Sequence, residues 1–126
     1  MTPAARVLVV DDNEVIRELV SDVLGWAGHV TETAPDGLAA LEVVRRWSPD
    51  VIVLDAMMPR MDGCAFARTY RRLPGPHAPI IALTAAGDGP ARAAAMHAAG
   101  FVGKPFDPDE LLRLVGHYAA PAYGPD

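Results

Sequence analysis

Three short runs of unbroken apolar residues, Val7-Leu8-Val9-Val10, Val51-Ile52-Val53-Leu54 and Pro79-Ile80-Ile81-Ala82-Leu83, constrain what this chain can fold into more than any other feature. A strand with one face in water alternates polar and apolar residues. A strand covered on both faces is apolar throughout, which is the pattern of a parallel sheet held between layers of helix. Two weaker strands fit beside these runs. His29-Val30-Thr31-Glu32-Thr33 alternates as an edge strand does, and Phe101-Val102-Gly103 is brief and stops at Lys104-Pro105. Helical periodicity fills the intervals at residues 14–26, 37–47, 63–73, 90–99 and 108–118. Asn13, Asp36 and Asp62 stand where N-caps belong, and the last helix has Asp107 at the cap, Pro108 at the first helical position and Glu110 three residues after the cap. Strand and helix alternate five times, which predicts an α/β, doubly wound parallel sheet with right-handed crossovers and a functional crevice at the carboxyl ends of the strands.

With 126 residues the chain suits one domain. Residues 1–118 are expected to form it, and 119–126, which include Pro121, Gly124 and Pro125, to be a flexible tail or the start of a linker. A net charge of −5 gives no basic footprint for direct contact with nucleic acid, and one cysteine forms no disulfide framework. No apolar stretch is long enough to span a bilayer, and Met1 to Arg6 leads into only four apolar residues before two aspartates, so a cytoplasmic protein is expected.

Asp11 and Asp12 follow the first strand, and Asp55 follows the third, its neighbour in this topology. The three carboxylates therefore converge. Clustered like charges raise one another's pKa unless a cation offsets them, and carboxylate oxygens suit Mg²⁺. Helix-start acidity accounts for Asp11-Asp12 almost as well. It accounts less well for Asp55, which stands seven residues before the next cap, Asp62. Of the eleven basic residues ten are arginine, and the single lysine, Lys104, follows the last strand. A compact point charge there differs in kind from the planar fork used everywhere else in the chain.

Four segments in order, Val7-Leu8-Val9-Val10-Asp11-Asp12-Asn13, Leu54-Asp55-Ala56-Met57-Met58-Pro59-Arg60-Met61-Asp62-Gly63, Leu83-Thr84-Ala85 and Gly103-Lys104-Pro105-Phe106, resemble the receiver domain of bacterial two-component response regulators, over about Arg6 to Tyr118. The resemblance implies a (βα)5 flavodoxin-like fold with strand order 2-1-3-4-5. It implies that Asp55 is the phosphoacceptor, taking a phosphoryl group from a phosphohistidine of a histidine kinase or histidine phosphotransfer protein. Asp11, Asp12, Asp55 and the backbone carbonyl of Met57 would hold Mg²⁺. Thr84 and Lys104 would bind the phosphoryl oxygens, and the peptide before Pro105 would be cis. Thr84 and Phe101 would form the switch, carrying the signal to the face of the fourth helix, fifth strand and fifth helix for an unknown downstream target. Phe101 lacks the hydroxyl of a tyrosine, so ring packing alone would act. Met57 and Ala86 match the positions that orient the attacking water during dephosphorylation. Neither can hydrogen-bond it, which implies slow loss of phosphate. The resemblance leaves open a monomer or a phosphorylation-dependent dimer, and a single-domain regulator or a receiver of the hybrid-kinase type, towards which Asp11-Asp12-Asn13 and Ile80 to Ala85 lean. The segment from Thr84 to Lys104 is slightly short for the family, so a shortened or loosened fourth helix is expected within 87–99.

Two other readings compete. A Mg²⁺-dependent phosphatase passing through an aspartyl phosphate would carry a second acid two residues after its nucleophile, where this chain has Met57. A phosphorylation-independent interaction scaffold has no need of Asp11, Asp12, Asp55, Thr84 and Lys104 together. Nucleotide binding is weaker still, because Asp11-Asp12-Asn13-Glu14 stands where a glycine-rich turn would admit phosphate. Met57, Met58 and Met61 read as packing around a loop, Cys64 as a small apolar residue, Trp26 and Trp47 as core edges. His29, His77, His97 and His117 show no ligand spacing, and Arg68, Arg71 and Arg72 read as a solvated basic face.

Overall fold

In the computed structural model, residues 4–58, 61–85, 87 and 89–119 are described. The elements are β1 (Arg6–Val10), α1 (Glu14–Trp26), β2 (Val30–Ala34), α2 (Gly37–Arg46), β3 (Val51–Asp55), α3 (Gly63–Arg72), β4 (Ile80–Thr84), α4 (Gly89–Ala95), β5 (Gly100–Gly103) and α5 (Pro108–Ala119). All five strands are parallel in the order β2-β1-β3-β4-β5, with β2 at an edge as its alternation requires.

The continuous apolar runs feed two cores, because successive side chains leave opposite faces of a strand. Leu8, Val10, Ile52, Leu54, Ile80 and Ala82 pack beneath α2 and α3, against Leu41, Phe66 and Tyr70. Val7, Val9, Val51, Val53, Ile81 and Leu83 face the other way, against Val20 and Leu24 of α1 and Leu111 and Val115 of α5. α3 shows the matching helical logic: Gly63, Phe66, Ala67 and Tyr70 recur at a spacing of three and four residues and are all buried. The caps lie where the sequence put them. Asn13, Asp36 and Asp62 each accept the N–H three residues on, from Ile16, Ala39 and Ala65, while Asp107 accepts that of Asp109.

Three expectations need correction. Helix α4 is shortened, as the brief Thr84-to-Lys104 segment predicts, but it ends at Ala95 rather than near residue 99. His97 takes a left-handed φ of 51°, and the N–H of Ala98 and of His97 turn back to the carbonyls of Ala93 and Ala94, a Schellman closure that stops the helix. Trp26 is no core edge: it ends α1 at 79% exposure, whereas Trp47 is half-buried under the Arg6 guanidinium, 5.3 Å from its ring centroid. Arg71 is no free surface charge. Its guanidinium donates to the carbonyls of Met96 at 2.7 Å and His97 at 2.8 Å, tying α3 to the C-terminal end of α4. Helix α5 runs to Ala119, one residue past the expected limit of the domain, and Ala86 and residues 120–126 lie outside the described residues.

Candidate phosphoryl and metal site

Register places the carboxylates. Val10 pairs with Leu54 across β1 and β3, so the next residues, Asp11 and Asp55, leave the sheet side by side on the same face. Each is then aimed by the same local turn: the N–H two residues on donates to its Oδ1, Asn13 to Asp11 at 2.9 Å and Met57 to Asp55 at 3.1 Å. With both Oδ1 atoms engaged, both Oδ2 atoms face Lys104, whose Nζ lies 3.0 Å from Asp11 and 3.3 Å from Asp55. The Lys104-Pro105 peptide is cis, as the resemblance implied. The Lys104 N–H donates to the Thr84 carbonyl at 2.7 Å, so the ends of β4 and β5 are fastened together and bring threonine and lysine to the same edge. Arg17, which the sequence reading passed over, reaches from α1 to donate to the Asp11 carbonyl at 2.8 Å.

Gly63 lets α3 begin against this edge. A Cβ there would lie 2.8 Å from the Asp55 carbonyl oxygen, so any side chain would push the β3–α3 connection outward.

The electrostatics follow from this crowding. Burial pushes the Asp55 carboxyl up to about 6; the Met57 N–H draws it back, the Asp11 charge adds to the rise and Lys104 opposes it. Burial alone would lower the Lys104 ammonium, but its contacts with Asp11 and Asp55 outweigh that and hold it above its ordinary value. Ligand oxygens of Asp11, Asp12 and Asp55 lie within 4.8 Å of one another, so these carboxylates can converge on one hard cation. Asp11 and Asp55 are buried and Asp12 is exposed. The hydroxyl of Thr84, at 1% exposure, has no hydrogen-bond partner within the described residues. A buried unpartnered hydroxyl costs about 1–3 kcal/mol, and an oxygen-rich ligand at this edge would satisfy it.

The remaining expected residues divide. Phe101 is half exposed, its ring lying over the first residue of α4, outside the acidic cluster. Met58 and Met61 pack into the core beneath α2 and α3 as expected, and Cys64 packs with them. Met57 does not: its side chain is 56% exposed. His29 is buried, with its Nδ1 accepting the Ala5 N–H at 3.0 Å. A groove of about 770 Å³, lined by Tyr70, Pro74, His77 and Tyr118, opens at the opposite end of the strands, away from the carboxylates.

Comparison with known proteins agrees with this geometry. A family model described as "Response regulator receiver domain" matches residues 7–116. "Response regulator MprA" of Mycobacterium sp. (strain KMS) is 39% identical over 126 residues, covering 96% of this chain and 54% of the relative. The chain thus spans about half the length of the curated relatives it matches. Among solved structures, the chemotaxis protein CheY4 of Vibrio cholerae has 34% identity and a TM-score of 0.79 over 92% of this chain and 99% of that one. The Francisella response regulator 1452 receiver domain has 30% identity and a TM-score of 0.81, over 91% and 96%. The five parallel strands in the order 2-1-3-4-5, the clustered aspartates and these likenesses together place the chain in the response regulator receiver domain family.

Proposed function

We propose that this domain is a phosphorylation-controlled signalling switch in which Asp55 accepts a phosphoryl group from a phosphohistidine of a histidine kinase or histidine phosphotransfer protein. The observation that carries the reading is the meeting of Asp11, Asp55 and Lys104 at one point of the sheet edge, next to a Thr84 hydroxyl that has no partner among the described residues. An Asp55 oxygen attacks phosphorus in line, the P–N bond to the donor imidazole breaks, and the electron pair leaves with the imidazole nitrogen. Lys104 moves from pairing two carboxylates to pairing a phosphoryl oxygen, and the Thr84 hydroxyl donates to another. Asp11, Asp12, Asp55 and the Met57 carbonyl are suited to Mg²⁺, which when bound supplies positive charge against the negative charge gathering on the phosphoryl oxygens.

The surface beside the site suits such a donor. Val15, Leu19 and Trp26 are exposed and recur on one face of α1, starting just after Asp12. A partner that presents a histidine to Asp55 can lay a helix along this stripe. The competing phosphatase reading lacks its acid, since the position two residues after Asp55 is the exposed Met57. Thr84 and Phe101 would pass the change to α4, β5 and α5. Among the described residues no helix is long and apolar enough to cross a membrane.

The test is calorimetric titration with beryllofluoride, a phosphoryl mimic. Binding that requires Mg²⁺, weakens by about tenfold or more in Thr84→Ala (roughly 1.4 kcal/mol) and vanishes in Asp55→Asn is expected. Binding without Mg²⁺, or undiminished in Asp55→Asn, overturns the proposal.

A further inference from the structure

Helix α4 is held by different contacts at its two ends. Its C-terminal end is fastened by Arg71, through the carbonyls of Met96 and His97, and by the buried Met96 side chain in the core beneath α3. Its N-terminal end carries the Phe101 ring on Gly89. A Cβ on Gly89 would come within 2.6 Å of the ring's Cδ2 and closer still to Cε2, well inside the roughly 3.5–4.0 Å optimum for two carbon atoms. The ring can rest there only because residue 89 has no side chain. Phe101 pairs with Ala82 in the sheet, and Thr84 lies two residues further along β4 on the same face as Ala82. The ring on Gly89 and the Thr84 hydroxyl, which has no partner among the described residues, are therefore neighbours across one strand pair, and the N-terminal end of α4 is the end that meets them.

We propose that Gly89 is a positioning residue for the switch: its missing side chain gives Phe101 an outward seat on α4, and a Cβ at this position drives the ring off that seat and biases the domain towards its phosphorylated conformation. The inference rests on the functional reading above and names a residue that reading does not include. Linkage fixes its sign. A substitution that disfavours only the unphosphorylated arrangement must tighten the binding of whatever favours the other one. Gly→Ala also favours helix by up to about 1 kcal/mol whatever Phe101 does, so the ring's part has to be isolated by a double-mutant cycle.

The experiment uses the whole chain as wild type, Gly89→Ala, Phe101→Ala and the double variant, in Mg²⁺ with beryllofluoride as the probe. Phenylalanines are labelled with fluorine, and the Phe101 resonance is assigned by its loss in Phe101→Ala. Without beryllofluoride, Gly89→Ala should move that resonance towards the position it takes in saturated wild type. It should also lower the Kd for beryllofluoride severalfold, and have no such effect in the Phe101→Ala background. An unmoved resonance, or an equal change of affinity in both backgrounds, overturns the role of Gly89 while leaving the functional reading in place. Failure of wild type to bind beryllofluoride in Mg²⁺ overturns both.

Discussion

At the scale of single residues, Lys104 shows what one side chain contributes. Its Nζ lies between two carboxylates at 3.0 Å and 3.3 Å, a task for a point charge on a flexible stem. Lys104→Arg keeps the charge but not the shape. It should lower the rate of phosphorylation by a small-molecule donor about tenfold or more, roughly 1.4 kcal/mol of barrier. A wild-type rate in that assay would mean that the lone lysine is an accident of composition. Met57 gives a second expectation. Its side chain is exposed, and under the proposed function a polar group there would steer the attacking water, so Met57→Asn should shorten the life of the aspartyl phosphate. An unchanged rate of phosphate loss places the barrier elsewhere. His29 gives a third, in stability. Its Nδ1 must be unprotonated to accept the Ala5 N–H, and burial lowers its pKa. A histidine lowered in this way contributes stability that is complete above its unfolded pKa of about 6.5 and is lost as pH falls through the lower folded value. His29→Asn keeps an acceptor but cannot titrate. Wild type should therefore lose more stability than the variant in urea unfolding as pH falls from about 8 to about 5, and parallel losses would contradict this.

At the scale of elements, α4 is the least self-sufficient helix. It has seven residues, ends on a left-handed His97, and borrows two donors from Arg71. Arg71→Ala removes both hydrogen bonds to those carbonyls, a loss of about 1–3 kcal/mol. Amide exchange measured by NMR or mass spectrometry should then quicken over residues 89–98 and stay unchanged in α1 and α5. Uniform quickening would mean that Arg71 supports the whole fold instead. The shortness of α4 was readable from the brief Thr84-to-Lys104 segment, but its tie to Arg71 was not, because an arginine at the end of a helix looks the same whether it meets water or a carbonyl 25 or 26 residues away. The strands were readable for the opposite reason. Val7 to Val10 and Val51 to Leu54 are apolar throughout because both faces are covered, and no other element of a small α/β domain has that requirement. Trp26 misled because bulk at the end of a helix suggests a core edge, while at 79% exposure it lies on the outward stripe of α1.

At the scale of the whole molecule, the sheet is the instrument that makes a site from distant segments. Asp11, Asp55, Thr84 and Lys104 each stand at or just past the end of a strand, and parallel order with β1 beside β3 brings all four to one edge. That is why the acidic half of the site was legible: strand ends can be read from sequence, and topology does the rest. The seat of Phe101 was not legible, since it depends on how α4 is placed over β5. Phosphorylation of Asp55 alone is the claim on which the others rest. The direct measurement is to treat the Mg²⁺-bound protein and its Asp55→Asn variant with a small-molecule phosphoryl donor and to follow intact mass and the site of modification. One acid-stable, base-labile phosphoryl group on Asp55 in wild type, and none in Asp55→Asn, is the expected result; phosphorylation persisting undiminished in Asp55→Asn would contradict it.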